Sequence, residues 1–298
     1  MRRRSGSSAP RRGRLPTARL ILPLLLMLPA TPGAQVWEQD RPKAPPPLRG
    51  ETIEYRARGD KIRAYFVTPE GAGPHPGVVV IHEWWGLNDQ VQRVADRLAG
   101  IGYAAIVPDL YRGKVPADAG LAHELMRALN EDWAVDVIKG GAEQLRARAK
   151  SKGVATMGFC MGGRLSLAAA LKGAPIQAAV MYYGSVETDA KALAPLTVPL
   201  LGIFGRDDRG IPEADVRKFE AAMKAAEKNA TIIVYPAAGH AFFNDQRASY
   251  EKEAADDAWA RTQKFLNEHL KGETPPDPGP KREAPKAKVK PGDMIPDR

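Results

Sequence analysis

Cysteine is almost missing: the chain of 298 residues holds one, Cys160. A single thiol forms no intramolecular bridge, so no disulfide framework staples this fold, and zinc sites built from several cysteines are excluded with it. Apolar length is also short. The run Leu20–Leu28 falls well below the about 20 residues needed to cross a bilayer, so a permanent membrane span is not expected. Excess charge is missing from the body of the chain. The total is +9, yet residues 1–34 hold seven arginines and no acid, and residues 271–298 hold seven Lys/Arg against five Asp/Glu, which leaves residues 35–270 neutral. A neutral body offers no basic face for phosphates, and nucleic acid is not expected as a partner.

What is present divides into four parts. Residues 1–34 run from a basic start through the apolar stretch to small residues around Ala30–Ala34, the layout of a removable export signal, so a periplasmic or secreted protein is expected. Residues 35–50, QVWEQDRPKAPPPLRG, form a proline-rich linker. Residues 51–271 carry the fold, and residues 272–298, rich in proline and of mixed charge, read as a disordered tail. Within 51–271, ETIEYRA and KIRAYFVTP flank Arg58-Gly59-Asp60 as a hairpin would. Beyond them, GVVVIHE, YAAIVP, VATMGF, IQAAVMYYG, VPLLGIFG and ATIIVY alternate with helical stretches, among them one continuous pattern over residues 121–150. Strands apolar on both faces, separated by helices, predict an α/β fold with a mainly parallel central sheet covered on both sides.

That order sets Cys160 directly after a strand and before a helix, at the carboxyl end of the sheet, where ligand chemistry in open α/β folds is found. Gly158-Phe159-Cys160-Met161-Gly162 has the G-x-C-x-G form of a nucleophile elbow, in which small residues let strand and helix approach while the reactive side chain is lifted into the open. The first N–H groups of the following helix favour a thiolate and can hold an oxyanion. A thiol nucleophile needs a base, and two histidines follow it. His269 lies in the last helix; His240 lies in a loop after the last strand, the expected place in the chain order nucleophile, acid, histidine. Asp207 and Asp208, after VPLLGIFG, both qualify as the acid.

With GFCMGG, GRDD and AGHAF in order, and IHEWWGL and PDLYRG before them, the chain resembles the dienelactone hydrolase family of the α/β-hydrolase fold from about Glu51 to Leu270. The resemblance implies a Cys160, Asp207 and His240 triad, Glu83 as the carboxylate beside the resting thiol, and the backbone N–H groups of Trp84 and Met161 as oxyanion donors. It further implies Arg112 as a substrate anchor, although displaced by one position. Asn244 stands where the family carries a second arginine, so a preference for neutral or singly anchored substrates is expected. The activity implied is hydrolysis of a small ester or lactone through a thioester, with no metal and no cofactor. Two other readings remain: a non-catalytic ligand-binding protein on the same fold, which would leave His240 turned from Cys160, and a thiol redox enzyme, against which the lack of a resolving cysteine counts.

Overall fold

A computed structural model describes residues 46–272. The expected export signal, most of the proline-rich linker and the tail beyond Gly272 lie outside the described residues. Strands β1 (Glu51–Ala57) and β2 (Asp60–Val67) pair as the expected hairpin. Its two-residue turn places Arg58 at φ 48° and Gly59 at φ 85°, the positive pair whose twist suits a tight hairpin.

The alternating part follows as β3 (Gly77–Ile81), α1 (Asp89–Gly100), β4 (Ala104–Pro108), α2 (Ala119–Ala128), α3 (Glu131–Ala149), β5 (Val154–Phe159), α4 (Met161–Leu171), β6 (Ala178–Tyr182), the short α5 (Ala190–Leu193), β7 (Leu200–Gly205), α6 (Glu213–Ala225), β8 (Ala230–Tyr235) and α7 (Lys252–Leu266). The eight strands form one sheet in the order β1-β2-β4-β3-β5-β6-β7-β8. β1 and β2 run antiparallel at one edge, and β2 meets β4 antiparallel; every other pairing is parallel.

Burial on both faces explains the continuous apolar strands. In β3, Val79 and Ile81 enter the core shared with α3, α4 and α6, whereas Val78 and Val80 enter the one shared with α1 and α7. All four are essentially inaccessible to solvent. At about 1.5–3 kcal/mol for each fully buried branched side chain, such strands anchor the fold. The helical pattern over 121–150 is in fact broken. Leu129 turns extended, and Asn130 accepts a hydrogen bond from the Trp133 N–H as the cap of α3. An asparagine followed by two acids in the first turn is a start signal strong enough to override continuous helix propensity.

Candidate active site

Register brings the site together. Ile81 lies opposite Gly158, Phe159 opposite Tyr182, and Gly205 opposite Tyr235, so the loops leaving β3, β5, β6, β7 and β8 converge at one end of the sheet. Cys160 takes φ 53° and ψ −117°, a strained conformation for a residue with a side chain. The neighbouring glycines make the bend possible: a Cβ on Gly158 would stand 1.9 Å from the Gly162 carbonyl oxygen, and one on Gly162 would stand 2.3 Å from that of Ile81. The Cys160 N–H donates to the Tyr182 oxygen at 3.0 Å, tying the elbow to the next strand. Met161 begins α4, so its own N–H has no acceptor within the helix.

His240 Nε2 lies 3.2 Å from Cys160 Sγ, and its Nδ1 lies 2.7 Å from Asp208 Oδ2. The carboxylate that meets the imidazole is therefore Asp208 and not the expected Asp207. Asp207 faces solvent, 59% exposed, and receives Arg206 at 3.2 Å. Asp208 is buried, and its other oxygen accepts the N–H groups of Gly210 and Ile211 at 2.8 and 3.1 Å. Those bonds fix the carboxylate before the imidazole arrives. Burial works against a charged His240, but the hydrogen bonds to Asp208 and Cys160 outweigh it and raise the imidazole to about 10. A cavity of about 350 Å³ opens onto Cys160 and His240.

A thiol, an imidazole and a buried carboxylate thus stand in hydrogen-bonded sequence around a strand-elbow-helix. Residues 62–270 match the dienelactone hydrolase family. The chain belongs to that family. Among curated relatives, a Yersinia pestis protein provisionally named a carboxymethylenebutenolidase is 34% identical over 236 residues, covering 74% of this chain and 88% of that one. A Saccharolobus solfataricus protein with the same provisional name is 33% identical, covering 72% and 96%. A solved Klebsiella pneumoniae structure, provisionally named a dienelactone hydrolase, superposes with a TM-score of 0.68 at 30% identity, over 72% of this chain and 95% of that one. A metagenomic dienelactone hydrolase-like promiscuous phosphotriesterase, 24% identical, shares the fold at a TM-score of 0.68, over 74% of this chain and 98% of that one.

The remaining family-implied residues fall differently from expectation. Glu83 is buried but does not hydrogen-bond the thiol. Its two oxygens accept from Tyr183 Oη at 3.0 Å and Asn244 Nδ2 at 2.9 Å. Burial raises this carboxyl above its ordinary range, with the Asn244 and Tyr183 bonds pulling the other way. Asn244 is thus committed to Glu83 and, through its own oxygen, to the Gln246 N–H at 3.0 Å; it does not line the cavity. Tyr183, which no sequence motif singled out, links the two halves: its hydroxyl holds Glu83 while its ring packs edge-on against His240 at 5.2 Å.

Arg112 turns outward, bonding Asp60 at 2.9 Å and lying over the Trp133 ring at 4.2 Å, and it too is absent from the cavity wall. Its segment is held by Asp109, which accepts from the Tyr111 and Gly113 N–H groups, and by the fully buried His82. Burial keeps His82 neutral; its Nδ1–H donates to the Glu83 carbonyl at 2.6 Å and its Nε2 accepts from the Leu110 N–H at 3.2 Å. That pair of bonds locks the loop bearing Trp84 to the loop after β4. Trp84 itself is half-buried and packs edge-on against Trp85 at 5.1 Å.

Proposed function

We propose that this protein is an exported carboxylic ester hydrolase that opens small esters or lactones through a thioester on Cys160. The observation that carries the reading is the continuous chain Asp208, His240, Cys160, with contacts of 2.7 and 3.2 Å at the mouth of the cavity. In a binding protein on this fold nothing would require the imidazole to meet the sulfur.

The Nδ1–H of His240 donates to Asp208, and Nε2, on an imidazole raised to about 10, already holds the proton taken from Cys160 in the resting pair. The thiolate attacks the substrate carbonyl carbon, and the electron pair of the C=O moves to oxygen, where the N–H groups of Met161 and Trp84 hold it. Collapse of this tetrahedral species breaks the bond to the leaving oxygen. That oxygen takes the proton from Nε2, and the acyl group stays on sulfur. Water then gives a proton to Nε2 as it attacks the thioester; the second collapse restores the thiolate beside the protonated imidazole and releases the carboxylic acid. Asp208 remains an anion throughout, keeping one tautomer and stabilising the imidazolium.

Glu83 acts one layer behind, bracing Tyr183 against His240. Substrate recognition by Arg112 and Asn244 is no part of the proposal, because neither side chain reaches the cavity. A screen of p-nitrophenyl esters and lactones, run with and without iodoacetamide, tests the function. Turnover that disappears on stoichiometric alkylation supports it; turnover that survives full alkylation of Cys160, or no turnover of any ester or lactone, rules it out. Export, which follows from the basic and apolar leader, is tested by sequencing the native protein. A mature start between about Leu28 and Trp37 supports export; recovery of Met1 from a cytoplasmic fraction contradicts it.

A further inference from the structure

The peptide that joins Glu83 to Trp84 is held at its carbonyl and open at its N–H. The Glu83 carbonyl receives two donors, Nδ1–H of the fully buried His82 at 2.6 Å and the Gly86 N–H at 3.2 Å. The far side of the ring fixes which nitrogen carries hydrogen. The Leu110 N–H can only donate, so Nε2, 3.2 Å away, accepts, and a neutral imidazole then holds its proton on Nδ1. A trans peptide sets its C=O and its N–H in opposite directions. Drawing the carbonyl to His82 therefore turns the Trp84 N–H away from the imidazole, and that N–H meets no acceptor among the described residues. Close packing of α4 keeps the segment leading to this peptide against the elbow: a Cβ on Gly162 would stand 2.3 Å from the Ile81 oxygen and 2.7 Å from that of His82. An unspent N–H beside the nucleophile, already oriented, is what a developing oxyanion needs.

We propose that His82 is a positioning residue for the oxyanion hole: by fixing the carbonyl of the peptide between Glu83 and Trp84, it aims the Trp84 N–H at the substrate oxygen beside the Met161 N–H. His82 acts through the peptide and not on the substrate. This rests on the ester hydrolase reading and adds to it the group that sets the direction of one donor. The two ring nitrogens have separate tasks. The Leu110 bond selects the tautomer, and Tyr111, packed edge-on against the ring at 5.1 Å, keeps it in place.

The test divides those tasks, because an asparagine amide lies where Nδ1 lies and a glutamine amide where Nε2 lies. His82→Asn keeps a donor for the Glu83 carbonyl; His82→Gln keeps an acceptor for Leu110 and loses that donor. On p-nitrophenyl valerate, His82→Gln lowers kcat about 10- to 100-fold with KM within about threefold, whereas His82→Asn stays within about threefold of wild type in both. The loss is smaller than that of a deleted oxyanion donor because Gly86 still holds the carbonyl. A second readout needs no turnover. The sulfur of Cys160 adds to the carbonyl carbon of 1,1,1-trifluorohexan-2-one, and the C=O electron pair moves to oxygen as an oxyanion. Protection of Cys160 from iodoacetamide by this ketone weakens about tenfold or more in His82→Gln and little in His82→Asn. Alkylation without the ketone, which needs the thiolate but no oxyanion hole, keeps its wild-type rate in both. The proposal is overturned if His82→Gln retains wild-type kcat and ketone protection, or if His82→Asn loses as much as His82→Gln. Should neither variant fold, the nitrogen NMR spectrum of wild-type protein labelled at histidine decides: His82 with hydrogen on Nδ1 supports the proposal, and hydrogen on Nε2 overturns it. If no ester is hydrolysed, the hydrolase reading fails while ketone protection still decides the role of His82.

Discussion

Replacing Asp208 with asparagine separates orientation of the imidazole from every other feature of the site. The Oδ2 that accepts from His240 Nδ1 at 2.7 Å becomes an amide NH2 if the Oδ1 bonds to Gly210 and Ile211 are kept. An NH2 cannot accept the Nδ1 proton. It favours the other tautomer, with hydrogen on Nε2, facing a sulfur 3.2 Å away that then has nowhere to send its proton. The imidazolium also loses its buried counter-charge. In triads of this logic the change costs about 10³–10⁴ in kcat, which is about 4–5.5 kcal/mol of barrier at 1.36 kcal/mol per decade. Because both loop bonds survive, the fold loses only about 1–2 kcal/mol. Asp207→Asn, at a side chain 59% exposed and paired only with Arg206, changes kcat by less than about twofold. The assay is kcat on p-nitrophenyl valerate beside urea unfolding of each variant. Equal losses in the two variants, or a larger loss at Asp207, would refute the assignment.

Other consequences follow from the same contacts. Gly158→Ala and Gly162→Ala drive a Cβ into backbone oxygens at 1.9 and 2.3 Å, so each loses more than about 4 kcal/mol of stability or fails to accumulate as soluble protein; normal denaturation midpoints would contradict the packing argument. Asn244→Ala leaves the buried Glu83 carboxyl without its amide donor and costs about 1–3 kcal/mol in urea unfolding. His240 is raised to about 10 in the fold, so the native state holds a proton that the unfolded chain releases near its ordinary pKa of about 6.5. That contribution is full below about 6.5 and is lost as pH rises through about 10; stability therefore declines across this window, and Asp208→Asn flattens the decline. A slope unaffected by Asp208→Asn would contradict the assigned pair.

Much of this arrangement is legible in sequence because it is local. Two-faced apolar strands identify a covered parallel sheet, G-x-C-x-G marks the elbow, and His240 follows from chain order. The choice between Asp207 and Asp208 depends on which of two adjacent side chains the turn after β7 points inward, and that is set by the loop N–H groups of Gly210 and Ile211. Arg112 and Asn244 were placed by family position, whereas their partners Asp60, Trp133 and Glu83 are distant in sequence and claim them for other work. The same holds for Tyr183, whose hydroxyl reaches Glu83 across a hundred residues.

The central claim is that sulfur, and this sulfur, carries the acyl group. The most direct measurement mixes wild-type protein with excess p-nitrophenyl valerate, quenches with acid during turnover, and maps the digested protein by mass spectrometry. The account predicts one valeryl group, on the peptide containing Cys160, and neither acyl group nor turnover in Cys160→Ala. Steady turnover by Cys160→Ala, or an acyl group trapped on any other residue, would contradict it.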